Sequence, residues 1–251
     1  MLLIYPPLAK ACEPPAGLTL LAGTLRGHGL PCTMLDANLE GQLDLLANNP
    51  SRRDTWSRRA RRHLAENLSA LRDPALYAEP ARYQRAVSDL SRVLGATGRD
   101  DLTVNPANYQ DHKLSPVKSG DLLRAADDPA GNIFYDYFAA RLDRLVAENP
   151  PALVGFSINY LSQAPTAFAM IGYLKKHHPT LPIAVGGGLI TSWLSSPDWR
   201  NPFDKLIDHL VAGPGEIPLL KISGRQTDHI ETEKIRPDFT GLPLADYLAP
   251  G

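Results

Sequence analysis

The fold class is predicted by the pattern within residues 2–35, LLIYPPLAKACEPPAGLTLLAGTLRGHGLPCTML. It opens with a short unbroken apolar run ended by Pro6-Pro7, which is typical of a strand buried on both faces of a parallel sheet. Apolar residues at helical spacing follow over 18–25, and the glycines within 27–29 end that helix. A second apolar run at 31–35 completes a βαβ unit, whose crossover is expected to be right-handed.

The segment 46–149 differs in amino-acid composition from this unit. It is rich in charge, and proline and glycine recur at short intervals, so we predict a mainly helical insertion rather than more sheet. One helix is expected over 132–149, where apolar residues fall on one face. The basic run at 58–62 is followed by acidic residues and alternates with no aromatic platform. We therefore interpret it as a solvated helix face rather than a nucleic-acid surface.

Three more apolar runs follow the insertion, at 152–158, 181–185 and 205–212. A helix is expected over 165–177, between the first two of them. Five strands that each end in a special loop predict an α/β, flavodoxin-like fold. Its doubly wound parallel sheet should have the strand order 2-1-3-4-5, with the helical insertion between strands 2 and 3.

The predicted domain organisation follows from these boundaries. A discontinuous Rossmann-like domain is assigned to 1–45 and 150–224, and the insertion to 46–149. Residues 225–251 show no strong period, so they are interpreted as an extended linker towards a further domain.

Composition argues against several classes of protein. The 251 residues carry a formal net charge of -1, so no nucleic-acid partner is expected. The apolar start at 1–5 is too short for a signal peptide and nothing approaches a membrane span, so we expect a cytoplasmic protein without a membrane partner. Cys12 and Cys32 are too few for an iron–sulfur cluster and match no zinc or redox spacing. We therefore expect no metal ligand, no catalytic residue and no turnover by this chain alone.

The ligand face is expected at the carboxyl ends of the strands, where open parallel sheets bind ligands at the reversal of strand order. Glycines there let backbone amides approach a ligand, and hydroxyl or amide side chains can hydrogen-bond to it. The candidate cofactor-binding residues are Pro6, Pro7, Leu8, Ser157, Asn159, Tyr160, Gln163, Gly186, Gly187, Gly188, Gly213, Gly215 and Glu216. A glycine triplet is also typical of a tight turn, and a carboxylate that opens a helix favours the macrodipole, so a structural role stays open for each loop.

The motifs that the sequence lacks argue against several classes of ligand. No G-x-G-x-x-G follows strand 1, which argues against a dinucleotide site, and no G-x-x-x-x-G-K occurs for nucleoside triphosphates. Pro6-Pro7 stand where a flavin-binding enzyme of this fold would need a phosphate loop rich in serine and threonine. A free-standing flavoenzyme is therefore the weaker reading.

The order of several motifs resembles that of radical SAM proteins with a cobalamin-binding domain. The motifs are Pro6-Pro7, Pro14-Pro15-Ala16-Gly17-Leu18, Val154-Gly155-Phe156-Ser157-Ile158 with Gln163, Gly186-Gly187-Gly188 and Gly213-Pro214-Gly215-Glu216. The resemblance implies an N-terminal module that presents a corrinoid, or a small-molecule or peptide substrate, to a C-terminal radical SAM domain. Residues 237–247 resemble the segment leading into that domain, which would hold S-adenosylmethionine and a 4Fe-4S cluster on a C-x-x-x-C-x-x-C motif that this chain lacks.

The chain departs from corrinoid-binding domains at the cobalt ligand, because it has no D-x-H-x-x-G motif. Residues 36–41, DANLEG, resemble that motif, but they follow strand 2. They also place Asn38 at the position where the motif has the imidazole of histidine. We therefore expect any cobalamin to bind without a histidine lower ligand. Of the histidines, only His112 is a candidate to reach the ligand face.

Two hypotheses stay open. In one, the dimethylbenzimidazole tail of cobalamin passes the glycines at 186–188 while residues 157–163 face the corrin. In the other, a degenerate module keeps the fold without a corrinoid and serves as a substrate-docking or interdomain scaffold. For the first we expect Gly187→Leu to fill the tail channel and abolish binding with the fold largely intact, and His28→Ala to change nothing.

Overall fold

The computed structural model describes residues 1–50, 54–227, 230 and 235–248. Its strands are β1 (Leu2–Tyr5), β2 (Thr33–Asp36), β3 (Leu102–Asn105), β4 (Asn108–Asp111), β5 (Val154–Ser157), β6 (Ile183–Gly186) and β7 (His209–Leu210). Its α-helices are α1 (Ala16–Gly27), α2 (Ala37–Asn48), α3 (Thr55–Arg62), α4 (Leu64–Leu71), α5 (Pro80–Leu94), α6 (Ser119–Asp127), α7 (Tyr135–Glu148), α8 (Ala164–His177), α9 (Gly188–Leu194) and α10 (Glu216–Ile222). In this described part, no helix is long and apolar enough to cross a membrane.

The main sheet has five parallel strands in the order β2-β1-β5-β6-β7. The predicted α/β, flavodoxin-like fold is therefore confirmed. The predicted order 2-1-3-4-5 is not exact in chain numbering, because two strands of the insertion precede the third strand of the sheet. Since β1 lies between β2 and β5, the strand order reverses at β1, which places the ligand edge beside β1 and β5.

The insertion contains a hairpin that the sequence analysis did not predict. Strands β3 and β4 pair antiparallel, with Val104 opposite Tyr109. Leu102, Val104 and Tyr109 are buried, and exposed residues alternate with them. This alternation, with a period of two on either side of an Asn-Pro turn, is typical of a hairpin. It was missed because the two runs are short and lie in a segment whose composition favours helices.

The last strand is much shorter than the apolar run at 205–212 predicted. Only His209 and Leu210 pair with β6. The amides of Leu206 and Ile207 both donate to the carbonyl of Phe203, so this part of the run is a turn. Phe203 and Ile207 are buried because the turn packs on α8, with the rings of Phe203 and Phe168 4.6 Å apart.

Helices cover both faces of the main sheet. On one face α1 and α10 pack over Leu3. On the other, the larger core joins Ile4 of β1 to Phe168 of α8 and to Phe134 of the insertion. The insertion therefore shares the hydrophobic core of the sheet instead of forming a core of its own.

The end of the chain packs back on this domain. Within residues 235–248, which we call the tail strap, the amide of Asp238 donates to the carbonyl of Thr19 in α1 (2.9 Å). The amide of Leu248 donates to the carbonyl of Ala11, in the loop after β1 (2.8 Å). The predicted extended linker is thus, in its described part, a segment fixed along α1 that reaches the carboxyl edge of the sheet.

Candidate functional site

A cavity of about 420 Å³ opens at the carboxyl ends of the strands, between the sheet and helices α1 and α10. We call it the inner cavity. Apolar side chains and glycine backbone form most of its walls, and a few polar side chains join them. The lining residues are Leu3, Gly17, Leu18, Leu21, Gly155, Phe156, Ser157, Asn159, Ala184, Val185, Gly186, Gly187, Gly188, Thr191, Val211, Gly213, Pro214, Gly215, Glu216 and Leu219.

The glycine triplet after β6 lines the inner cavity, but the middle glycine is there for packing. Gly187 has φ +104°, and an added Cβ would lie 2.5 Å from the carbonyl oxygen of Ile158. That oxygen accepts from the amide of Leu189 (3.2 Å), so it is held in place. The expectation that Gly187→Leu leaves the fold largely intact is therefore wrong, since a side chain here meets backbone before it reaches the cavity.

The loop after β7 contributes two glycines and an acid. Gly213 has φ +70°, and its amide donates to Thr191 Oγ1 (2.9 Å). An added Cβ at Gly215 would lie 3.1 Å from Leu21, so α1 packs directly on this loop. Glu216 begins α10 and is only 8% exposed, and its Oε2 has no hydrogen-bond partner among the described residues.

Two polar residues after β5 reach the inner cavity. Ser157 ends β5, and its Oγ accepts from Asn159 Nδ2 (3.3 Å). Asn159 Oδ1 accepts from the amide of Gly188 (2.8 Å), which ties this loop to the loop after β6. Asn159 is therefore largely committed to loop structure.

Gln163 was predicted to contact a ligand, but the structure places it beneath the loop. It is fully buried, and its Oε1 accepts from the amides of Asn159 (2.9 Å) and Tyr160 (3.1 Å). Its Nε2 donates to the carbonyl of Pro6 (2.8 Å). Gln163 thus holds the loops after β1 and β5 together, and Tyr160, with 56% of its surface exposed, lies outside the inner cavity.

Pro6, Pro7 and Leu8, which were predicted as binding residues, line neither cavity. All three are buried. The carbonyl of Leu8 accepts from Ser162 Oγ (2.8 Å), so the chain turns under the loop after β5 instead of facing the opening. Two apolar prolines followed by leucine favour this burial over contact with a polar ligand.

A second, more polar cavity of about 560 Å³ adjoins the first, and we call it the outer cavity. It shares Gly17 and Asn159 with the inner cavity. Its other lining residues come from within residues 9–16, from Ala107 at the turn of the hairpin, and from Tyr5, Tyr160 and Ser162. Gly17 was not predicted as a site residue, although it lies in the motif Pro14-Pro15-Ala16-Gly17.

A buried acid joins the tail strap to the carboxyl end of β2. Asp36 is 3% exposed, its Oδ1 accepts from the amide of Leu39 (2.9 Å), and its Oδ2 accepts from the Tyr247 hydroxyl (2.7 Å). Burial raises the pKa of the Asp36 carboxyl from 3.8 to about 6, although both hydrogen bonds favour the charged form. The ionised carboxylate of Asp36 is therefore less favourable in the folded protein than in the unfolded chain.

We expect the free energy of unfolding to decrease as pH rises from about 4 to about 6, because the folded state keeps the Asp36 proton that the unfolded state has lost. The difference amounts to roughly 2–3 kcal/mol. Asp36→Asn keeps a cap for α2 and should remove this slope. Urea unfolding of both proteins across this pH window measures it. An equal slope in both proteins contradicts the assignment.

The described histidines lie away from both cavities. Within the described ranges, no group of three or more His, Cys, Asp or Glu side chains is placed to hold a metal ion. His112 follows the hairpin strand β4, where Nε2 lies 3.0 Å from Thr103 Oγ1. Neither it nor any other described histidine lines the inner or the outer cavity.

Comparison with protein-family models, with curated proteins and with solved structures finds no match to this chain. The ligand has to be inferred from the chemistry of the two cavities and from the sequence motifs.

Proposed function

We propose that this chain is a corrinoid-binding module, in which the inner cavity takes the dimethylbenzimidazole tail of a cobalamin. The observation that carries the proposal is a glycine-walled cavity between the sheet and α1, at the reversal of strand order. A flat aromatic ring needs apolar walls and little side-chain bulk. Gly17 leaves that space, since an added Cβ there would have only Ser157 Oγ within 4.0 Å, while Leu18 and Leu219 supply apolar contact.

The adjoining outer cavity supports a ligand that is larger than the inner cavity alone. The two cavities meet at Gly17 and Asn159, and the outer one is richer in polar side chains. A cobalamin has an apolar aromatic tail and a bulky ring system edged with amides, and this division of polarity matches the two cavities. The Ser157 hydroxyl lies in the wall of the inner cavity near Gly17, and it is the side chain there suited to hydrogen-bond such amides.

When bound, a corrinoid supplies methyl-transfer or redox chemistry that side chains lack. The part played by this chain is to bind and orient it. Presentation to a radical SAM domain, with its S-adenosylmethionine and 4Fe-4S cluster, belongs to the same proposal and rests on the resemblance of residues 237–247. The substrate class on that domain would be a small molecule or a peptide.

Substitution of Gly17 tests the proposal without backbone strain. An added Cβ at Gly17 has only Ser157 Oγ within reach, at 4.0 Å, so a side chain there extends into the cavities from an unstrained helical position. Overpacking typically costs roughly 1–3 kcal/mol, so Gly17→Leu should weaken hydroxocobalamin binding by roughly tenfold to a hundredfold. A spectroscopic titration measures this.

Gly27→Leu is the matched control, because Gly27 ends the same helix and an added Cβ there meets nothing within 4 Å. It should bind hydroxocobalamin as the unaltered protein does. Equal binding by Gly17→Leu would refute the assignment of the cavity. No binding by the unaltered chain would refute corrinoid binding and favour the degenerate scaffold module.

A further inference from the structure

Glu216 carries an unused hydrogen-bonding atom in the wall of the inner cavity. The residue is 92% buried, since 8% of its surface is exposed, and its Oε2 has no partner among the described residues. No described lysine, arginine or histidine forms an ion pair with it. Buried polar atoms are paired in the great majority of cases, so an orphaned carboxylate oxygen beside a cavity requires an explanation.

Two neighbouring polar side chains, Thr191 and Asn159, hydrogen-bond to loop backbone instead. Thr191 Oγ1 donates to the carbonyl of Gly187 (3.0 Å) and accepts from the amide of Gly213 (2.9 Å). Asn159 Oδ1 accepts from the amide of Gly188 (2.8 Å). Glu216 is thus the charged side chain of the cavity wall with capacity left for a ligand.

The chemistry of a carboxylate restricts what that ligand group can be. An ionised carboxylate only accepts hydrogen bonds, so its partner must carry an O–H or N–H. A phosphate placed against it would meet like charge in a partly desolvated site. The group that faces Glu216 should therefore be an O–H or N–H donor and not an anion, while the apolar rest of the cavity suits an aromatic ring.

We propose that Glu216 accepts a hydrogen bond from a sugar hydroxyl of an aromatic riboside whose base lies in the inner cavity. Acidic side chains bind ribose hydroxyls in the same way at the carboxyl edge of other doubly wound sheets. The inference rests on the proposed function, because the cobalamin tail contains such a riboside. To the proposed function it adds a residue, Glu216, and a ligand group, the sugar hydroxyl, that together would determine which ligands bind.

Glu216→Gln tests this, since it keeps the shape of the side chain and removes the charge that strengthens the bond. A hydrogen bond to a charged acceptor stabilises a complex more than one to a neutral acceptor. Binding of α-ribazole, the riboside of dimethylbenzimidazole, should therefore weaken roughly tenfold or more in this variant. Binding of dimethylbenzimidazole alone should change less than about twofold, because it lacks the sugar. Calorimetric titration of the full chain measures both, with adenosine as a second riboside.

Glu148→Gln is the matched control for loss of one negative charge, because Glu148 is exposed at the end of α7. It should leave all these affinities unchanged. Thermal unfolding of each variant verifies that it is folded.

The outcomes separate the two proposals. Selective weakening of riboside binding supports the role of Glu216, even if hydroxocobalamin itself fails to bind and the corrinoid proposal falls. Equal riboside binding by Glu216→Gln and the unaltered protein overturns the role of Glu216. Absence of any riboside binding to the unaltered chain overturns it too, while hydroxocobalamin binding in that case leaves the corrinoid proposal standing.

Discussion

Gly187→Ala should lower the free energy of unfolding by about 3 kcal/mol or more. Gly187 has φ +104° and ψ 177°, a region that is essentially restricted to glycine. Its Cβ would also lie within 2.8 Å of three backbone atoms of Ile158. Relief of that contact would move Ile158 away from Leu189 and loosen the joined ends of β5 and β6. Urea unfolding followed by circular dichroism measures the loss.

Gly188→Ala is the neighbouring control. There the Cβ would make an ordinary contact of 3.6 Å with Asn159 Oδ1, and the backbone is not in the glycine region. Its stability should lie within about 1 kcal/mol of the unaltered protein. If Gly187→Ala is as stable as Gly188→Ala, the packing of the two loops described above is wrong.

Gly172→Ala should be the second large loss, about 2–4 kcal/mol. Gly172 lies in α8 where α6 crosses it, and an added Cβ would be 1.9 Å from the carbonyl oxygen of Ala126. The atoms that the added Cβ meets are backbone atoms of α6, so one helix has to move. Because α6 belongs to the insertion, we expect the insertion to separate from the sheet first, which hydrogen exchange of α6 detects.

Gly120→Ala provides the comparison for this change. Gly120 lies in α6 itself, and an added Cβ there meets nothing within 4 Å. Alanine has the higher helix propensity, so this variant should be as stable as the unaltered protein or more stable by up to about 1 kcal/mol. Loss of stability in both variants would indicate that the pair α6 and α8 is sensitive to any added methyl group, and that the close crossing at Gly172 is not the cause.

The candidate site was only partly predictable from the sequence. The glycines at 186–188, with Gly213, Gly215 and Glu216, line the inner cavity as the loop positions suggested. Gln163 does not, because its amide bonds the two loops beneath the surface. A sequence shows that an amide follows a strand, but whether it faces a ligand or the backbone depends on where the neighbouring loop ends.

What the sequence alone determined is the layered architecture. Short apolar runs bounded by proline and glycine, alternating with helical periods, specify parallel strands with helices on both faces, because burial of each strand is encoded in its own residues. The extent of β7 was not determined that way, since Phe203 and Ile207 are as apolar in a turn against α8 as they would be in a strand.

Tertiary structure alone decided the contacts between distant segments. The tail strap lies on α1 because Gly23 leaves room for the backbone of Arg236, and the Tyr247 hydroxyl finds Asp36 a full 211 positions away. Whether Glu216 Oε2 has a hydrogen-bond partner depends on how the elements around it pack, and among the described residues it has none. Local patterns record which face of an element is buried, whereas the partner of a buried polar atom depends on the packing of segments that no local period connects.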